Sequence, residues 1–287
     1  GASSGQGTVN IIGNFTSGGN FGDNVVDAEA MTLEQINISK GNTFTLSAGH
    51  NASSTRMNIN GTVTAQGSAN ITSAVTMGSG SVLNLTNTGT GGGSTAAEVA
   101  GAIDGYAGAT GTLNVNGTWS TAGVIGATRA IAAINLDSDN DTASHTYTFA
   151  HNVNATTITL GTNDAQSSNT TLAISAAITV TGDIVSSGNA SIAGILDINE
   201  NTIFVDNIGT SSAAIERITV ITGKTATFKD SIYAGNITLE TAGTASTSAA
   251  FAFNGTANTA YTVTGKIDGQ EFGHGSITVN TGNVTFS

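Results

Sequence analysis

The stretch Gly111-Thr112-Leu113-Asn114-Val115-Asn116-Gly117 decides the fold class. In an extended chain Leu113 and Val115 face one side, and Asn114 and Asn116 the other. The same period of two runs through Thr8-Val9-Asn10-Ile11, Met57-Asn58-Ile59-Asn60, Val82-Leu83-Asn84-Leu85, Thr156-Thr157-Ile158-Thr159-Leu160 and Ser276-Ile277-Thr278-Val279. Apolar residues at every second position, many of them β-branched, predict strands. Clusters such as Gly89-Thr90-Gly91-Gly92-Gly93-Ser94 and Ser186-Ser187-Gly188-Asn189 end the runs, as turns with positive φ require. Helix is scarce. Residues 27–36 carry helix formers, and Thr95-Ala96-Ala97-Glu98 fits a capping box. The alternative places Met31, Leu33, Ile36 and Ile38 on two short strands.

Composition narrows the classes further. The 287 residues include 38 glycines, no proline and no cysteine, and only 9% are charged. Average usage would give about 14 prolines and about 25% charge. Without cysteine there is no disulfide framework, thiol nucleophile or Cys-based metal site. A net charge of −12 with seven Lys+Arg excludes an ordinary nucleic-acid binder. The most apolar stretch, Val124 to Leu136, is interrupted by Arg129 and is too short to span a membrane. With ten Phe, four Tyr and one Trp, burial must come mostly from Val, Ile, Leu and Ala, which suit a narrow, layered interior.

Gly7 to Gly22 aligns without gaps on Gly111 to Gly126. Gly7, Thr8, Asn10, Gly13, Gly19 and Gly22 recur as Gly111, Thr112, Asn114, Gly117, Gly123 and Gly126. Phe15 becomes Trp119, and a third copy opens at Gly275-Ser276-Ile277-Thr278-Val279. A lead-in, Ala102-Ile103-Asp104-Gly105 and Lys266-Ile267-Asp268-Gly269, precedes two copies. This reads as a stacked module with insertions: a β-rich unit over 1–104, a second with an insertion over 105–268, and the start of a third over 269–287. The chain opens at Gly1 without Met or signal peptide and stops inside the third copy, so it reads as part of a longer repetitive polypeptide or as a chain that joins to another.

The phrases Ala102-Ile103-Asp104-Gly105, Gly111-Thr112-Leu113-Asn114-Val115 and Thr121-Ala122-Gly123-Val124-Ile125-Gly126 resemble the repetitive passenger regions of large bacterial surface proteins. The rickettsial outer-membrane protein A and B autotransporters, and S-layer-like proteins rich in Thr, Ala, Gly and Asn, are the families concerned. The resemblance implies a right-handed parallel β-helix displayed outside the cell, and no catalytic residue. The composition suits that fold independently. Central strands need every N–H as a donor, so proline is unwelcome. Like charges stacked about 4.8 Å apart would repel. An antiparallel β-sandwich would give similar local signals and is the alternative.

The strongest candidate site is Asp137-Ser138-Asp139-Asn140-Asp141, three carboxylates at alternate positions like the start of a calcium loop. It lacks that loop's later glycine and its bidentate Glu, and a solvated acidic turn is the competing reading. Asp197, Glu200 and Asp206 form a looser acidic group, and Asp23 with Asp27 another. His50, His145, His151 and His274 form no zinc motif, and no Gly-x-Ser-x-Gly elbow exists. Asp104 and Asp268 occupy equivalent repeat positions and read as turn caps. Asn-x-Ser/Thr triplets, as at Asn14, Asn60 and Asn84, follow from composition and matter only if the source glycosylates them.

The expected function is therefore a non-catalytic, extracellular structural protein of the cell surface, a segment of a self-assembling layer, filament or stalk. It would associate with copies of itself or with the rest of a longer chain. Nucleic-acid binding and membrane insertion are not expected; cell-surface or glycan contacts are compatible with this reading. No cofactor is required, calcium at Asp137, Asp139 and Asp141 standing as one of two readings of that acidic stretch. An adhesin passenger that binds host or neighbouring cells is the first alternative, and a polysaccharide-active β-helix enzyme the second.

Overall fold

The computed structural model describes residues 7–21, 33–87, 96–137, 144–161, 170–187, 194–240, 248–269 and 275–287. The described chain is all-β, without helix, and its parallel strands stack as a β-solenoid of about 10 turns. It divides into two compact units: Gly1–Ser138 with Asn154–Thr156, and Asp139–Val153 with Thr157–Ser287.

In the first unit the chain winds through short strands, up to three per turn. They are β1 (Thr8–Ile11) and β2 (Phe15–Ser17); β3 (Leu33–Ile38), β4 (Thr43–Leu46) and β5 (Asn51–Ala52); and β6 (Ser54–Ile59), β7 (Thr62–Gln66) and β8 (Asn70–Ile71). Then follow β9 (Ala74–Met77), β10 (Val82–Thr86) and β11 (Glu98–Val99); β12 (Ile103–Gly105), β13 (Thr112–Val115) and β14 (Trp119–Ser120); and β15 (Ile131–Leu136). Corresponding strands of successive turns pair, in the orders β1-β3-β6-β9-β12, β2-β4-β7-β10-β13-β15 and β5-β8-β11.

The second unit holds β16 (Thr146–Phe149), most of β17 (Val153–Leu160), β18 (Thr171–Ile174), β19 (Ile178–Ser186), β20 (Ile195–Ile198), β21 (Thr202–Phe204) and β22 (Ile215–Val220). It continues with β23 (Thr225–Phe228), β24 (Ile232–Leu239), β25 (Ala250–Asn254), β26 (Ala260–Gly269), β27 (Ser276–Thr281) and β28 (Asn283–Phe286). Here the orders are β16-β18-β20-β22-β24-β26-β28 and β19-β21-β23-β25-β27.

Every pairing between these strands is parallel, for example Leu83 to Leu113 to Ile134 and Leu172 to Leu196 to Ile218. The sandwich alternative therefore falls. The inward columns are aliphatic, as alternation predicts. Leu83, Leu113 and Ile134 are each fully buried, as are Leu85, Val115 and Leu136 beside them. Aromatic rings stack within the columns too: Phe204 on Phe228 at 5.2 Å, and Phe228 on Phe251 at 4.7 Å. Such offset stacks add to area burial.

Several expectations need correction. The helix reading fails wherever the chain is described: Leu33, Ile36 and Ile38 share the one strand β3, and Glu98 opens β11. Pairing with β1 and β6 buries Ile36 and Ile38 completely, which outweighs local helix propensity. Met31 and Thr95 lie outside the described residues. The apolar positions of the three repeat copies also divide. Ile11, Leu113 and Val115 are buried and Val9 is partly covered, but Ile277 and Val279 are 47% and 44% exposed. They stand on the last described turn, and no further turn stacks on them there.

The sequence repeat takes on a different meaning. Its copies are not superposed turns: β1 and β13 sit in different sheet orders, and β27 belongs to the other unit. One turn is much shorter than the repeat, since register runs from Phe44 to Val63, Leu83, Leu113 and Ile134. What recurs is a way of entering a strand. Gly7 and Gly111 both have positive φ, 134° and 84°. The Gly7 carbonyl accepts from both Glu34 and Gln35 N–H, and the Gly111 carbonyl from both Ala132 and Ala133 N–H. At Gly111 a Cβ would stand 2.4 Å from the Cβ of Met77, so only glycine fits.

Replacing fully buried Leu113 by Asp buries an unpaired charge, and thermal or denaturant melts should show a loss of several kcal/mol. Ile12→Asp, at a position 80% exposed, should move stability by less than about 0.5 kcal/mol. Equal melting of the two variants would show that the inward assignment is wrong.

Candidate functional site

The outer faces carry the polar side chains, and these are organised between turns. In the first unit Asn10, Asn37 and Asn58 lie in register on β1, β3 and β6. Asn37 Nδ2 donates to Asn10 Oδ1 at 2.8 Å, and Asn58 Nδ2 to Asn37 Oδ1 at 2.9 Å. A second ladder runs through Asn84, Asn114 and Asn135. There Asn114 Nδ2 donates to Asn84 Oδ1 and Asn135 Nδ2 to Asn114 Oδ1, both at 2.8 Å. Parallel register places like on like, so an amide can donate to the turn before it and accept from the turn after it. A glycan on Asn84 would replace one N–H of the Nδ2 that donates to Thr64 Oγ1 at 3.3 Å.

Asparagines in the turns make a second kind of link. Asn14 Oδ1 accepts from Thr43 N–H, Asn20 Oδ1 from Asn51 N–H, Asn152 Oδ1 from Thr179 N–H and Asn201 Oδ1 from Thr225 N–H, at 2.9–3.0 Å. Each ties a turn to the first strand residues of the turn above. Asp104, on β12, instead accepts from Thr128 N–H at 2.9 Å in the bend before β15. Asp206 accepts from Gly182 N–H at 2.8 Å, and Asp183 from Asn207 N–H at 3.2 Å. Asp268, the other expected cap, instead pairs with Lys266 at 2.7 Å.

The sequence-predicted metal residues are only partly described. Asp137 follows β15, is 2% exposed and has a φ of 62°, in the left-handed region. Asp139 and Asp141, its two expected co-ligands, lie outside the described residues. So do Asp23, Asp27 and His274. Within the looser acidic group, Glu200 pairs with Lys224 at 2.7 Å, whereas Asp206 caps Gly182 and Asp197 lines an outer groove. Buried His145 lies beside Tyr147, with ring centroids 6.4 Å apart. Among the described residues, no three His, Asp or Glu side chains converge as a metal site would require.

Two outer grooves differ in character. In the second unit, Asp197, Arg217 and Glu240 line one of about 380 Å³ together with Asn199, Thr219 and Thr238. It mixes both signs of charge. In the first unit, Asn37, Asn58, Asn60, Thr76 and Tyr106 line one of about 340 Å³ that contains no charged residue. Sequence reasoning missed both, because their walls come from turns about 20 or more residues apart. The ladders had a legible signal: an Asn between two apolar residues recurs at Val9-Asn10-Ile11, Ile36-Asn37-Ile38 and Met57-Asn58-Ile59.

Removing the Asn114 amide with Asn114→Ala breaks two ladder bonds and should cost about 1–3 kcal/mol in melts. The Glu200–Lys224 pair gives a pH test. The Lys224 hydrogen bond is the main reason the Glu200 carboxyl titrates below its usual 4.5. The pair's stabilisation is thus complete above that unfolded-state value and is lost as pH falls through the lower folded one. In Lys224→Met, an NMR titration should find the Glu200 midpoint raised toward the ordinary value; an unmoved midpoint would refute the assigned cause. Comparison with protein-family models, curated proteins and solved structures finds no match, so nothing there links the chain to autotransporter passengers or S-layer proteins.

Proposed function

We propose that the chain is a non-catalytic structural segment of an extracellular cell-surface layer, filament or stalk, and that it works by stacking turn upon turn. The observation that carries this reading is the exposure of β27 and β28. Phe251, Phe253 and Val263 are at most 1% exposed, yet their register partners Ile277, Val279 and Phe286 are 47%, 44% and 46% exposed. These three side chains continue inward columns. One more turn laid on β27 and β28 would bury them, at about 25 cal/mol per Å² of apolar surface covered.

Unpaired strand backbone beside apolar side chains is a template for a further strand. A second copy of the chain would supply such a turn. The outer ladders support the same reading. Amides that hydrogen-bond to one another from turn to turn stiffen a stack, as a stalk requires. The expected surface location rests on composition and on the resemblance to surface passengers. Calcium at Asp137, Asp139 and Asp141 belongs to this proposal as a stabiliser of the loop after β15.

Analytical ultracentrifugation over a wide concentration range tests the association. The proteins compared are the wild type and the Ile277→Lys/Val279→Lys variant, whose charges blunt the edge. The wild type should form larger species as concentration rises, and the variant should stay monomeric with unchanged melting. A wild type that remains monomeric at millimolar concentration would refute self-association; if it then bound cells as a monomer, the adhesin reading would replace this one. For calcium, a site that acts should stabilise by about 2.7 kcal/mol at one hundred times its dissociation constant. Identical melts in calcium and in chelator would remove it.

A further inference from the structure

We propose that the uncharged groove of the first unit, with Tyr106 at its edge, is a binding site for a neutral oligosaccharide. What sets this groove apart is not the lack of charged lining residues but the exposed aromatic ring beside a row of amides and a hydroxyl. Its volume of about 340 Å³ falls in the range of small-ligand sites. Its wall is the Asn37–Asn58 ladder. Within the ladder each amide donates one N–H to the preceding turn. An amide has two N–H donors, so the second remains for a ligand. The ladder thus offers donors about 4.8 Å apart, the strand spacing, and Asn60 and Thr76 add further hydrogen-bonding groups beside them.

Tyr106 supplies the other half of the chemistry. The residue is 71% exposed, yet its backbone is held on three sides. Its N–H donates to Met77 O at 2.9 Å and lies 3.1 Å from Thr110 Oγ1. Its carbonyl accepts from Arg129 Nη1 at 2.7 Å. An exposed aromatic ring on a fixed backbone is an ordering cost already met, and such residues make rigid contact surfaces. An aromatic face beside a row of amide and hydroxyl groups matches a pyranose, which has an apolar C–H face and a rim of hydroxyls. No charged side chain lines the groove itself, and the guanidinium of Arg129 is engaged on the Tyr106 carbonyl.

Gly78 forms the floor. A Cβ there would stand 2.2 Å from Asn60 Oδ1 and 3.3 Å from the Ile59 carbonyl oxygen, so Gly78→Ala displaces the Asn60 amide and asks the neighbouring backbone to give by a few tenths of an ångström. This gives a second variant independent of the ring. The inference does not depend on the association proposed above.

The test is calorimetric titration, with NMR of the Asn side-chain amides, against neutral gluco-, manno- and galacto-configured hexasaccharides, and uronic-acid oligomers as the charged arm. At least one neutral hexasaccharide should bind saturably and shift the Asn58 and Asn60 amides. Tyr106→Ala should weaken binding at least tenfold with melting temperature and sedimentation unchanged, and Gly78→Ala several-fold while still melting cooperatively; Tyr106→Trp should retain binding. The proposal is overturned if no neutral oligomer binds at millimolar concentration, if only uronic-acid oligomers bind, or if Tyr106→Ala binds like wild type.

Discussion

Parallel register between successive turns is the constraint on which the rest of this protein depends. Each strand hydrogen-bonds to the corresponding strand one turn away, so each side chain sits about 4.8 Å from the one at its own register position. Whatever occupies a position must tolerate its neighbour above and below. Inside, this produces columns such as Leu83, Leu113 and Ile134, all free of solvent. Outside, it produces ladders such as Asn84, Asn114 and Asn135, each amide bonded to the next.

The same constraint explains the chain's unusual composition. A proline inside β10 or β13 would remove a donor from the ladder between turns. Charges are admitted where the register gives them neutral neighbours: Arg217 lies between Ile195 and Asn236, and Lys266 beside Asn236. Variation in turn length is absorbed between strands, so register resumes beyond it. Leu83 and Leu113 are partners although residues 88–95, outside the described chain, lie between them. This is why the sequence repeat is uneven while the strand pairing is regular.

The two functional readings draw on different parts of the same architecture. Association draws on the inward columns at β27 and β28, where the stack presents uncovered Ile277, Val279 and Phe286. Saccharide binding draws on an outward face, where Tyr106 is clamped by Met77, Thr110 and Arg129 beside the Asn37–Asn58 ladder. A stack that leaves its outer face free can carry both properties, because inward and outward side chains alternate and do not compete.

The sequence by itself determined the strands and their inward and outward faces, while the choice of solenoid over sandwich waited for the parallel pairing between turns. A period of two is a local property of the backbone, and Leu113-Asn114-Val115 states it without reference to anything distant. It also marked the strand entries at Gly7 and Gly111, since only glycine accepts their backbone angles. Tertiary structure alone decided which positions meet. Nothing in Asn37 or Asn58 names the other as partner; the register of β3 on β6 does. Only the stack could place Ile277 and Val279 in the open despite their apolar pattern, because burial depends on the next turn and not on the residue. Likewise Tyr106 joins Asn37 and Asn58 in one groove through the winding of several turns, a separation that no local pattern in the chain encodes.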